Sequence, residues 1–297
     1  MKYFIIINLV LFTAGFLFIG CSELETNIET PDTGKVHYKG VLDTSSPEFH
    51  GKLVSANGWI VSDCKQCHGD SYQGAFAGPS CLTCHSGTNG PENCSTCHGS
   101  ETSSAPPRDL NGNTENTARG VGAHQVHLAG NLKGKTMSCA ECHVVPGGVY
   151  SDGHLDGDSR AEIIMANYLA TITTNHPSTA NYSASLPLFV PNPSYSLTDQ
   201  TCSNTYCHGN FKNGNTGNKP VWNDPSTATC GTCHGDPTKP TLLEKALPKT
   251  VSEGGTHPNA LTCSQCHGGV VNANLNFTNP SKHVDGLLNL SGSDIKY

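Results

Sequence analysis

The chain has 297 residues, a net charge of −7, only 35% hydrophobic residues, and 32 Gly and 18 Pro. Globular domains average about 45–50% apolar residues, so this composition excludes a conventional helix-and-sheet enzyme built round a side-chain core, and the acidic balance disfavours nucleic acid as a partner. Either the chain is largely disordered or something other than side chains fills its interior, and its 15 Cys and 15 His point to the second.

Residues 1–20 read as an export signal peptide, with Lys2 ahead of an apolar run from Tyr3 to Ile19. The run sits at the short edge of the roughly 17–25 residues that a membrane span needs, and it ends abruptly in polar sequence. Phe18-Ile19-Gly20-Cys21 resembles a bacterial lipoprotein processing site, with Phe18 where Leu is usual. The alternative is a short uncleaved anchor or a signal cut elsewhere. The lipoprotein resemblance implies lipidation of Cys21 and, with Ser22 in place of Asp, anchoring to the outer membrane. Residues 21–35 are acidic and polar and are expected to form a flexible tether.

The other 14 cysteines fall into seven pairs, each followed by His. Six are C-x-x-C-H: Cys64, Cys67 and His68; Cys81, Cys84 and His85; Cys94, Cys97 and His98; Cys139, Cys142 and His143; Cys230, Cys233 and His234; Cys263, Cys266 and His267. The seventh, Cys202, Cys207 and His208, has four residues between its thiols, which must loop out for both to reach one porphyrin. Covalent haem attachment needs two thiols to meet two vinyl groups and a His beside them to ligate the iron. Zinc also takes C-x-x-C pairs, but that does not explain a His after every pair, and nor does a disulfide scaffold. The expected cofactor is seven covalently bound haem c.

Eight further histidines remain: His37, His50, His124, His127, His154, His176, His257 and His283. Seven haems with two axial nitrogens each need seven of them. Outside the signal the only methionines are Met137 and Met165, so the supply favours bis-His ligation, which leaves no open position on the iron. His37 lies close to the tether and is set aside. The other seven are the candidate distal ligands. His124 and His127 are three apart, share one face if helical, and could serve two neighbouring haems.

The motifs are unevenly placed. Three crowd into residues 64–98, and the low-complexity stretch 101–120 follows. The expected organisation is a three-haem unit over 36–105, a linker over 106–118 and a four-haem unit over 119–297. In the latter, GAHQVHL, CAECHVVPGG, GHLDG, CSNTYCHG, CGTCHG, THP, CSQCHGG and KHVDG follow in order. That series is similar to the CxxxxCH/CxxCH-domain multihaem c-type cytochromes of metal-reducing and related bacteria. The resemblance covers roughly 175 residues. It implies an electron carrier of the periplasm or outer membrane, some relatives of which work in extracellular electron transfer.

The expected fold is irregular and haem-packed. It has little regular secondary structure, short helical turns at the C-x-x-C-H motifs and few short strands. The Gly after five of the motif histidines fits a left-handed helix cap. Arg160 to Thr174 reads as a helix or a hairpin arm. Asn-Gly and Asp-Gly pairs at Asn57, Asn89, Asn111, Asp152, Asp156, Asn213 and Asp285 mark turns.

The function expected from these features is electron carriage rather than enzyme catalysis. No catalytic residue is assigned. Partners would be other redox proteins (cytochromes or an outer-membrane conduit) or extracellular metal oxides, with the membrane reached through the lipid anchor. A multihaem oxyanion reductase with one open haem is the main alternative, and a subunit of a haem-bearing filament is another.

Overall fold

The computed structural model describes residues 37–75, 78–100, 102–129, 134–157, 160–165, 169–174, 188–259 and 262–296. The signal peptide, Cys21, the tether and His176 lie outside the described residues. Among those described, no helix is long and apolar enough to cross a membrane.

Regular structure is sparse. The longest helix among the described residues, α1 (His50–Ala56), has seven residues and stops at Asn57-Gly58, where Gly58 takes φ +67°. Five more helices of four or five residues follow among the described residues: α2 (Lys65–His68), α3 (Cys94–Cys97), α4 (His124–Leu128), α5 (Leu242–Ala246) and α6 (Ser264–His267). Such short helices do not persist on their own, because nucleation costs more than one or two turns return. Local caps hold some of them. Asn93 Oδ1 accepts from Ser95 N–H at the start of α3, and Thr241 and Glu244 form a reciprocal capping box on α5. The described residues also form two antiparallel ribbons, β1 (Ser194–Ser196) with β2 (Thr201–Ser203) and β3 (Leu287–Leu290) with β4 (Ser293–Lys296), and several 3₁₀ turns.

The fold is irregular, as the composition implies. Every one of the seven Asn-Gly and Asp-Gly pairs carries a positive φ at one or both residues. Arg160 to Thr174 is neither helix nor strand in its described residues. Its described residues hold two isolated bridges, His143 to Ile163 and Thr174 to Phe189, and a turn at 169–171. Leu169, Ala170 and Ile172 are buried there, whereas Ile163 and Ile164 are exposed. Leu169 and Ile172 form a small cluster with Tyr206, against which Met137, Phe211 and Val284 pack. Met165 is buried as well.

A hydrogen bond crosses the segment 106–118, from Ser62 N–H to Tyr150 Oη at 2.7 Å, and others tie the segment and its end to the C-terminal side: Trp222 Nε1–H donates to the Arg119 carbonyl at 2.8 Å. Asn223 Nδ2–H reaches the Thr117 carbonyl at 3.0 Å, and Gln125 donates to the Pro106 carbonyl.

Candidate metal centres

Four of the motifs close the same backbone bond. His85, His98, His143 and His267 donate their N–H to the carbonyl of the first cysteine, at 2.9 Å to Cys81, 3.0 Å to Cys94, 3.0 Å to Cys139 and 2.8 Å to Cys263. One helical turn so closed puts positions i, i+3 and i+4 on one face, which is why two thiols and an imidazole need this spacing. The Cys202 motif solves the longer spacing differently. Cys202 lies on β2, Asn204 turns the chain at φ +57°, and a 3₁₀ turn (Tyr206–His208) presents Cys207 and His208. Tyr206, buried in the apolar cluster, anchors that turn.

Glycine follows the motif His at positive φ, +79° (Gly69), +68° (Gly99), +109° (Gly209) and +84° (Gly235); Gly209, at ψ 3°, is the left-handed cap expected, whereas Gly69, at ψ 156°, leaves its helix in a different conformation. Gly268 departs from this, at φ −60°, because the chain continues turning there and Val270 and Val271 both donate to the His267 carbonyl. At Gly235 a Cβ would lie 2.2 Å from the Lys245 carbonyl oxygen, so backbone approach as well as φ demands glycine.

Each motif histidine faces one histidine from outside the motifs. Ring centroids are 5.9 Å apart for His37–His68, 6.0 Å for His50–His85, 6.1 Å for His98–His154 and 6.2 Å for His124–His143. They are 6.0 Å apart for His127–His208, 6.2 Å for His234–His283 and 6.5 Å for His257–His267. These gaps fit one metal ion between two imidazoles, since two bonds of about 2 Å plus about 1 Å from each nitrogen to its ring centre sum to about 6 Å. His37, set aside from sequence for its nearness to the tether, is the residue opposite His68. Proximity along the chain is a poor guide where partners meet across the fold. His124 and His127 lie on α4 and face two different motif histidines.

The outer edge of many rings is fixed. Nδ1 of His50, His124, His127 and His154 lies 2.8–2.9 Å from the carbonyls of Val41, Val121, Ala123 and Val149. His143, His234, His257 and His267 meet Glu162, Ala246, Pro258 and Asn289 in the same way at 2.7–3.0 Å. A carbonyl only accepts, so Nδ1 carries the proton and Nε2 keeps its lone pair for a metal. Burial works in the same direction. It lowers the pKa of His85, His98, His124 and His127, and it takes His208 to about 4, with His127 adding to the effect. His234 also falls to about 4, through burial first and then the nearby His283. His85, His98, His124, His127, His208 and His234, whose pKa values burial lowers, are neutral near pH 7, which is the ligating form.

None of the fourteen motif cysteines is in a disulfide. Burial pushes Cys202 up to about 11 and Cys207 to about 12. Among the described residues no three His, Cys, Asp or Glu side chains converge on one point, as a structural zinc site requires. A pair of imidazoles suits a porphyrin, whose own nitrogens fill the other positions.

Sequence reading missed the residues that join the last-but-two motif to its neighbour. Asn215 Nδ2 donates to the carbonyls of Gly231, Thr232 and Gly235 at 2.9, 3.1 and 3.1 Å, and its backbone N–H to Cys233 O at 2.8 Å. Asn218 Nδ2 donates to His208 O at 2.9 Å. The run Asn213 to Asn218 reads as a turn, and only the fold reveals what its amides hold.

Residues 201–234, which contain this arrangement, match the family model described as the Geobacter CxxxxCH...CXXCH motif. No curated protein and no solved structure matches the chain. Residues 201–234 therefore carry the CxxxxCH...CxxCH motif, which supports a multihaem c-type cytochrome domain in this part of the chain.

Proposed function

We propose that this chain is a heptahaem electron carrier in which every haem is held by two histidines. The reading rests on the seven His–His pairs, each joining one motif residue to one non-motif residue at 5.9–6.5 Å. Haem c, once bound, supplies one-electron exchange between ferric and ferrous iron. The motif cysteines form the thioether links: Cys64 and Cys67, Cys81 and Cys84, Cys94 and Cys97, Cys139 and Cys142, Cys202 and Cys207, Cys230 and Cys233, and Cys263 and Cys266. His68, His85, His98, His143, His208, His234 and His267 hold one axial side. His37, His50, His154, His124, His127, His283 and His257, in that order, hold the other.

The second imidazole at every motif favours carriage over oxyanion reduction, since a reductase needs an axial position open to substrate. The carbonyls at Nδ1 lock the rings and add electron density to the ligating nitrogen. Export, lipidation at Cys21, attachment to the outer membrane and exchange with other cytochromes or extracellular metal oxides are part of the same proposal, and they rest on the N-terminal sequence alone.

Intact-mass spectrometry of the exported protein tests the count and the lipid together. Seven haems and a diacylated Cys21 are expected. EPR of the oxidised protein and CO titration of the reduced protein test the ligation. All-low-spin spectra without CO binding are expected, and a stoichiometric high-spin, CO-binding haem in the native protein would replace this reading with the reductase.

A further inference from the structure

Trp222 lies between the two histidines of α4. Its indole stacks on His127, with ring centroids 5.8 Å apart and planes 16° apart. It meets His124 edge-on, at 4.7 Å and 87°. The site is built for an indole. Nε1–H donates to the Arg119 carbonyl at 2.8 Å, and Trp222 N–H donates to the Gln200 carbonyl at 2.6 Å. Gly122, at φ +43°, lies so close that a Cβ there would come within 2.0 Å of Nε1 and 2.3 Å of Cε2. Val121, Gly122 and Ala123 are all buried, so the backbone in front of α4 is fixed against the indole.

The contact bears on ring orientation. His124 and its partner His143 are nearly parallel, at 23°, whereas His127 and its partner His208 are perpendicular, at 90°. Each α4 imidazole is already held at Nδ1 by a carbonyl, Val121 for His124 and Ala123 for His127. One hydrogen bond leaves a ring free to rock about it. A flat aromatic surface against both rings removes that freedom, through stacking on one and an edge contact on the other.

We infer that Trp222 is a positioning residue for two metal centres at once: it sets the planes of His124 and His127, and so keeps one centre with parallel imidazoles and its neighbour with crossed imidazoles. The inference rests on the assignment of His124 and His127 as axial ligands. The angle between axial imidazole planes governs the g-values of low-spin ferric haem. Two sites that differ in that angle should therefore give distinct EPR signals.

The test compares Trp222→Ala, Trp222→Phe and Gly122→Ala in the full-length holoprotein, with haem counted by intact mass in each. In Trp222→Ala, two of the seven low-spin signals should move in g-value and the other five should not, with seven haems retained. Trp222→Phe should restore both signals most of the way. Gly122→Ala, which touches no ligand but displaces the indole, should move the same two. If Trp222→Ala does not mature with its full complement, Gly122→Ala decides alone. All seven signals unchanged in a fully loaded Trp222→Ala or Gly122→Ala protein would overturn the inference. Fewer than seven haems in the wild-type protein would instead overturn the heptahaem reading, and the two failures are distinct.

Discussion

His98 and His154 face each other with ring centroids 6.1 Å apart, although one belongs to the three-motif N-terminal stretch and the other lies beyond the 106–118 segment. No other His pair crosses that segment among those described. The two halves are therefore joined by this proposed ligand pair as well as by the Ser62–Tyr150 hydrogen bond. A metal held by both residues is a covalent-strength clamp where the sequence suggests only a linker. His154→Ala should keep the haem on Cys94 and Cys97 but open one axial position. One of seven haems should become high-spin and bind CO, and limited proteolysis should cut faster within 106–118. A spectrum without a high-spin component would remove His154 from the ligand set.

His37 and His176 offer a sharper discrimination, because sequence counting puts His176 among the ligands and sets His37 aside. The ring of His37 lies opposite His68, with its centroid 5.9 Å away. His37→Ala is expected to convert one haem to high-spin, CO-binding form, and His176→Ala to leave all seven low-spin. The reverse pattern would restore the assignment made from chain position.

What could be read from sequence divides along a physical line. Covalent attachment demands two thiols and an imidazole on one face of a single turn, so Cys94, Cys97 and His98 announce themselves by local spacing. The opposite ligand is under no such constraint. His143 meets His124 from earlier in the chain, while His234 meets His283 from far downstream. No local rule links them. The irregular fold was legible for a related reason, since so few apolar residues cannot build layered helices and sheets. The glycine cap was legible at Gly209 but not at Gly268, where downstream contacts override the local preference. Asn215 was invisible because an asparagine between two glycine-rich turns looks like any loop residue until its three carbonyl partners are known.

Asn215 carries a prediction of its own. Its amide holds three carbonyls of the Gly231–Gly235 loop, at 2.9–3.1 Å, and so shapes the motif that ends in His234. Removing it leaves those carbonyls short of a donor in a half-buried loop, at a cost of about 1–3 kcal/mol. Asn215→Ala should lower the thermal midpoint of the holoprotein and reduce haem occupancy at Cys230 and Cys233 specifically, as seen by peptide mapping. Asn215→Asp, which keeps the size but replaces the donors with acceptors, should be worse than Ala. Equal occupancy at all seven motifs in both variants would show that the loop forms without the amide.

The low hydrophobicity carries the last prediction. Only ten hydrophobic residues are buried among those described, and the one apolar cluster centres on Leu169, Ile172 and Tyr206. Ordering each residue's backbone costs roughly 1–2 kcal/mol, and a core of this size does not offset that over a chain of this length. On the proposed reading, the thioether links and the paired imidazoles supply the missing stabilisation, tying together segments distant in the sequence. The chain expressed without haem attachment should show the far-UV circular dichroism of an unfolded polypeptide, no cooperative thermal transition and rapid proteolysis throughout. The holoprotein should melt cooperatively. A compact, protease-resistant haem-free chain would mean that the turns, ribbons and small apolar cluster suffice, and that the histidine pairs are held in place by the polypeptide before any metal arrives.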